Sequence, residues 1–414
     1  RAASATNEDV RDVLSRPDCP EMLTARDAQA VCAALEAAPA VPRDGDARRP
    51  TALRVLASLF LGKHPAAVHQ VLRHRGLACL MERFDQAVES PAAVEEDLFL
   101  LLRVFVGYEH YDGTNRVVFA ARRPFAPDSH AWSEVFDRFH RRHPHRTYVL
   151  DKLRQPLPTG FTAVAYLDFA NAMLWEDRVS KHPFAVSAGA SRLLEWLMMD
   201  DPERFTFAQS AAAATPFLKS PQREQFLQKA LRHAHPDVRF EGACAAARLK
   251  DEEGIKLLAN YCRDPKYRDA ALSHLTYLFR SDAIPNDSGG EETEAEAELC
   301  RWLASPREFG RPPDDVELID SREIHWPPTR DRRRLRLFKY RYQSRVEDRP
   351  DFVGVGMVGS VTYSLYQDVQ AETSADDVLA LHCSWELRYR EDPRAPDAIS
   401  LRAGRAILND PSEQ

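Results

Sequence analysis

The chain has 414 residues, with 16 glycines, 28 prolines and a formal net charge of −7. So little glycine argues against a Gly-rich phosphate-binding enzyme, a collagen or a β-propeller, and a 44% hydrophobic composition with aromatics throughout excludes gross disorder. The mild acidity argues against a nucleic-acid binder along the whole chain, and the longest dense apolar run, Leu98 to Val106, contains Arg103 and falls far short of the ~20 residues a membrane span needs. Of the 56 basic residues, 47 are Arg and 9 are Lys. An Arg excess of this size is the ordinary result of genomic base composition. The length fits two or three domains, or a repeat array with an appendage.

Helical periodicity dominates from about residue 8 to residue 280. Ala, Leu and Arg are abundant there and β-branched residues sparse, which suits helices. Trp132, Val135, Phe136 and Phe139 fit the i, i+3, i+4, i+7 pattern, and so do Ile255, Leu258, Ala259 and Cys262. The stretch 98–106 is apolar on all sides, as expected of a helix buried between layers. Ser90-Pro91, Asp201-Pro202 and Asp264-Pro265 punctuate these windows.

One internal repeat aligns directly. His235-Pro236-Asp237-Val238-Arg239 opens one segment and Asp264-Pro265-Lys266-Tyr267-Arg268 the next. The two prolines, like the two arginines, are 29 residues apart, with a second amphipathic helix at 252–262 between them. Two helices per ~30 residues mark an α-solenoid. Over about 221–280 the pattern resembles the short HEAT-like repeat, the kind also found in phycobilin lyases, whose second helix opens with Asp/Pro, Val and Arg before small residues. Weaker echoes stand at His64 to Val68 and His182 to Val186. Periodicity alone extends the solenoid through the N-terminal half.

Residues 281–298, with Asp287 and five glutamates from Glu291 to Glu298, read as a flexible acidic linker, followed by a short helix at 300–304. Pro312, Pro313, Pro327 and Pro328 mark irregular connections. From about 332 the period changes to two. Arg334–Tyr342 predicts a strand whose alternation slips between Leu337 and Phe338, as at a β-bulge. Val361, Tyr363 and Leu365 predict a second strand. Leu379, Leu381, Cys383, Trp385, Leu387 and Tyr389 alternate with polar residues and predict a third. The fold expected is mainly α: a HEAT-like helical-repeat solenoid over 1–280, an acidic, Pro-containing linker over 281–315, and a small antiparallel β-rich domain over 316–414.

Several constellations carry candidate chemistry. Gly354-Val355-Gly356-Met357-Val358-Gly359 matches GxGxxG, but a strand-like sequel replaces the helix that dinucleotide binding requires, so close backbone approach within a strand is the better account. The seven cysteines are scattered without a CxxC pair, which fits free buried thiols in a cytoplasmic protein. RAASATNEDV has no apolar core, so no signal peptide is visible. His140, His143 and His145 have ligand-like spacing, but Arg138, Arg141, Arg142 and Arg146 surround them and repel a cation. His274 lies on an apolar helical stripe, as a satisfied core histidine would.

Residues 330–349 carry a net +6, interleaved with Phe338, Tyr340 and Tyr342. Arg332, Arg333, Arg334, Arg336, Lys339 and Arg341 are its polyanion candidates, and pairing with the chain's own acidic stretch is the alternative. Asp168, Asn171 and Trp175 share one helical stripe beside an apolar one and are candidates for a solenoid groove. HEAT-like alkylpurine DNA glycosylases use such a groove, which is a likeness at the level of fold. No local motif for nucleophilic, zinc or nucleotide chemistry appears. The expectation is a non-catalytic scaffold or adaptor with a protein partner, no cofactor and no metal, away from membranes. The alternative is a nucleic-acid-binding or base-processing protein using the groove and the basic segment.

Overall fold

In the computed structural model the described residues are 23–38, 40, 51–176, 178–179, 181–199, 201, 204–305, 308–326, 331–344, 350–359, 362–365, 374–388 and 398–409. The chain divides into two compact units, residues 1–242 and 243–414. The protein is mainly helical, with one small antiparallel sheet.

The first unit is all helix: α1 (Ala25–Ala37), α2 (Ala52–Ser58), α3 (Ala66–Val71), α4 (Leu77–Ala87), α5 (Glu95–Gly107), α6 (Tyr111–Arg122), α7 (Ala131–Asp137), α8 (Arg146–Lys152), α9 (Gly160–Trp175), α10 (Ser187–Leu197), α11 (Phe205–Ala214), α12 (Gln222–Leu231) and the start of α13 (Pro236–Arg248). A continuous core runs from Leu23 to Val238. Local chemistry fixes the starts. Thr24 and Asp27 form a reciprocal capping box before α1, and the Thr51 hydroxyl accepts from the Arg54 N–H at 3.0 Å before α2. Buried Asp97 then takes both the Thr51 hydroxyl and the Arg54 guanidinium, which ties α5 to α2. The dense apolar segment 98–106 forms most of α5 and is buried apart from half-buried Arg103, which reaches Glu134 on α7. The apolar α9 lies against both α7 and α11.

The second unit begins within α13 and continues with α14 (Glu252–Tyr261), α15 (Arg268–Tyr277), α16 (Glu291–Leu303), strands β1 (Asp315–Trp326), β2 (Asp331–Tyr342), β3 (Phe352–Val358) and β4 (Thr362–Leu365), and helices α17 (Ala375–Arg388) and α18 (Ala398–Leu408). The two segments aligned in the sequence share two features. Val238 and Tyr267 are both buried, and the arginines that follow both cap backbone carbonyls, Arg239 those of His233 and Ala234, Arg268 that of Ser288.

The strands run antiparallel in the order β1-β2-β3-β4. Helices cover opposite faces at the two ends of β2. Leu335 and Leu337 share a core with Val378, Leu379 and Leu381 of α17, whereas Phe338, Tyr340 and Tyr342 pack with Ala295, Leu299 and Leu303 of α16. The slip read at Leu337/Phe338 is this exchange of buried face. The bulge itself lies opposite, in β1, where Leu318 pairs with Phe338 and Asp320 with Leu337, leaving Ile319 extra. The β3 glycines face α16. A Cβ on Gly354 would lie 2.4 Å from the Tyr340 ring, and one on Gly356 would lie 2.6 Å from Leu299.

Two expectations are corrected. Residues 375–388 are helical, not a strand; Tyr389 lies outside the described residues. The period-two alternation is real, but Ser374 caps the Asp377 N–H, Asp376 and Asp377 occupy the first turn, and Val378, Leu379, Leu381 and Cys383 are buried together on a helix. The acidic stretch is likewise not a linker from Glu291 onward. It is α16, whose first-turn glutamates suit the helix N-terminus and whose Ala295, Leu299 and Leu303 form an i, i+4, i+8 buried stripe. Val361 and the outer parts of the basic segment, 330 and 345–349, lie outside the described residues.

Among the described residues no helix is long and apolar enough to cross a membrane. Cys32, Cys79, Cys244, Cys262, Cys300 and Cys383 are free thiols, all buried except half-buried Cys79.

Candidate functional site

The first unit brings carboxylates from alternating helices close enough for their charges to act on one another. Asp137 ends α7, Asp168 lies in α9, Gln209 and Ser210 lie in α11, and Glu241 lies in α13. Asp137 and Asp168 are exposed to solvent and Glu241 is half-buried. Even so, loss of solvation pushes Asp168 and Glu241 up to about 7 and raises Asp137. These side chains touch water while the protein around them strips hydration from their charged form, so they are recessed among their neighbours, and we call their shared region the recess. The charges also act on one another: Asp137 raises Asp168, and Asp168 raises Glu241. Hydrogen bonds from Ser210 to Asp168 and from Gln209 to Glu241, the latter at 3.4 Å, offset part of the effect. Among the described residues none of the three carboxylates is ion-paired with a base.

A buried hydrogen-bond relay runs beside Asp168. The His182 Nδ1 accepts from the Phe184 N–H at 3.1 Å, so its proton sits on Nε2 and is donated to Asn171 Oδ1 at 3.0 Å. Asn171 Nδ2 then donates to the Ser210 carbonyl at 3.1 Å, and the Ser210 hydroxyl meets Asp168. Burial pushes His182 down to about 3, so it is neutral at physiological pH. Of the groove candidates, Asp168 therefore opens to the recess. Asn171 turns inward into the relay. Trp175, at the end of α9, is half-buried with its ring edge-on to Phe217. Glu241 and Asp137 escaped the sequence reading because each stands alone in its own helix and only the packing of helices brings them together.

A mostly apolar pocket of about 320 Å³ opens at the start of α13, lined by Met199, Asp201, Phe205, His233, Ala234, His235 and Pro236. Phe205 and His235 stack with centroids 4.0 Å apart. The first unit thus offers an apolar, aromatic-lined hollow and, separately, two carboxyls, Asp168 and Glu241, poised between charge states near neutral pH. It can accept hydrogen bonds from cationic side chains, and a carboxyl titrating near 7 can also hold or give up a proton.

The basic candidates lie on β2 of the second unit. Arg332 pairs with Glu323 at 3.2 Å, Arg333 with Asp331 at 3.2 Å, and Arg341 with Asp315 at 2.6 Å. Arg334 and Arg336 both reach Glu291 of α16, at 2.9 and 2.6 Å. Exposed Lys339 stands opposite Glu317 in register. The central bases are thus largely balanced by carboxylates from β1 and α16.

The histidine run is also committed to structure. Buried His143 bonds the Val106 carbonyl and accepts from the His145 N–H, His145 bonds Thr114, and buried Arg146 pairs with Glu176 at 2.6 Å. Comparison with protein-family models, curated proteins and solved structures returned no match.

Proposed function

We propose that the protein is a non-catalytic adaptor whose N-terminal helices stack as a HEAT-like solenoid and receive a cationic segment of a protein partner on their recessed face. The observation that carries this reading is the row Asp137, Asp168 and Glu241: open to water, short of solvation and without a basic partner among the described residues. Such carboxylates gain more from an incoming Lys or Arg than fully hydrated ones do. The pocket at the start of α13, in the same unit, offers an apolar anchor point. Supply of one polar residue from each of several alternating helices is how a two-helix solenoid builds a surface for an extended partner. A nucleic acid laid in the same recess would meet carboxylates, and the β2 arginines already have carboxylate partners, so the protein partner is the favoured reading.

Affinity capture from the native host tests it, using the wild type beside an Asp168→Lys/Glu241→Lys variant. The expected result is one stoichiometric protein, released by salt and lost from the variant. Equal capture by the variant, or recovery of a defined DNA or RNA by sequencing, would overturn the proposal.

A further inference from the structure

A second feature, in the other unit and independent of the recess, concerns the arginines of β2. Arg332, Arg334 and Arg336 alternate along the strand and so share one face, which is also the face of Phe338, Tyr340 and Tyr342 that α16 covers. Beyond the apolar contact, the first residue of α16 takes over. A single oxygen, Oε2 of Glu291, accepts from Arg334 Nη1 at 2.9 Å and from Arg336 Nη2 at 2.6 Å. Two guanidiniums converging on one oxygen is how a polyvalent oxyanion is held.

The carboxylate does not use up what is offered. Arg336 is only 11% exposed, and its Nε is buried with no acceptor. Glu323 takes a share of Arg334, at 3.6 Å, and of Arg332. That leaves three guanidiniums set against two carboxylates. By contrast Glu291 is 70% exposed, follows Gly289 and Gly290, and a Cβ on Gly289 would meet nothing within 4 Å. Arg336 is held within the protein while its covering carboxylate stands in solvent, and exposed ion pairs of this kind exchange readily.

We propose that Arg334 and Arg336 form a binding site for a phosphate group, with Arg332 at its margin, and that Glu291 occupies it as an intramolecular stand-in. A phosphate brings more acceptor oxygens and more charge than one carboxylate, so it fills the donors that Glu291 leaves unused. The site is closed at rest and opens when Glu291 is displaced.

The test uses the full chain as wild type, Glu291→Ala and Glu291→Gln, with two probes at low salt: a fluorescent single-stranded oligonucleotide followed by anisotropy, and inorganic phosphate followed by calorimetry. Both variants are expected to gain about tenfold or more in affinity for at least one probe, with the gain falling as salt is raised and reversed by adding Arg334→Ala. A gain for both probes assigns an isolated phosphate site; a gain for the oligonucleotide alone assigns phosphodiesters. The proposal fails if both Glu291 variants, with wild-type circular dichroism and melting temperature, bind neither probe better than the wild type. It also fails if the gain survives Arg334→Ala.

Discussion

Asp168 shows how far a single residue could be read in advance. Helical spacing placed it beside an apolar stripe, and it does border the core. The same spacing placed Asn171 next to it, but the amide turns inward to join His182 to Ser210. Spacing gives the stripe and not which way a border residue turns. The two buried or recessed ends of this relay have opposite pH linkage. The pKa of Asp168 rises from 3.8 unfolded to about 7 folded, so between these values the folded state holds the extra proton and stability falls as pH rises. His182 goes from 6.5 unfolded to about 3 folded, so the unfolded state holds the extra proton and stability rises with pH over that window. The slopes oppose each other between about pH 4 and 6.5. Asp168→Asn should therefore raise the melting temperature at pH 8, leave it nearly unchanged below pH 4, and expose the rising slope of His182 between; a set of melting curves across pH would show it. Asn171→Leu should cost about 1–3 kcal/mol in urea unfolding, because the Ser210 carbonyl and the His182 N–H lose their partner in the interior.

At the scale of elements, helix ends carry an unusual load because glycine is scarce. Three helices close with a non-glycine residue in the left-handed region: Glu109 after α5, Lys250 after α13 and Phe279 after α15, with φ of 51, 63 and 57°. In each case the next N–H reaches back to an earlier carbonyl, His110 to Phe105, Asp251 to Ala246 and Arg280 to Leu275, in the closing bond of a helix C-cap. Glycine is the usual occupant. Lys250→Gly and Phe279→Gly should each add about 0.5–1 kcal/mol of stability in denaturant unfolding, after allowance for the greater freedom glycine gives the unfolded chain. Phe279 is the cleaner case, since at 91% exposed it loses almost no packing. The β3 glycines behave oppositely. Gly354→Ala should destabilise by about 1–3 kcal/mol, because the new methyl overlaps the Tyr340 ring. The close approach was legible from the strand-like context of the GxGxxG run. The helical state of 375–388 was legible only in its cap, Ser374 three residues before Asp377, because period-two alternation over so short a stretch fits either structure. α16 was hidden by its charge: five glutamates drew attention away from the buried stripe between them.

For the whole molecule, the net charge of −7 is not shared. Residues 1–242 contain 31 bases and 31 acids, whereas residues 243–414 contain 25 and 32. The recess is thus a local concentration of negative charge on a formally neutral unit, and the basic strand is a local concentration of positive charge in the acidic one. Long-range steering of a cationic partner should accordingly be weak. Its association rate should fall less than about tenfold between low and physiological salt, with the larger effect of recess substitutions appearing in the dissociation rate, as stopped-flow or surface-resonance kinetics would measure. The recess has one more consequence, for heat. Near pH 7 Asp168 and Glu241 are partly protonated in the free protein, and a bound ammonium or guanidinium favours their ionised form. Complex formation must then expel protons into the buffer, so the apparent binding enthalpy will differ between phosphate and Tris at the same pH, and the difference will vanish above pH 9, where no protons remain to be released.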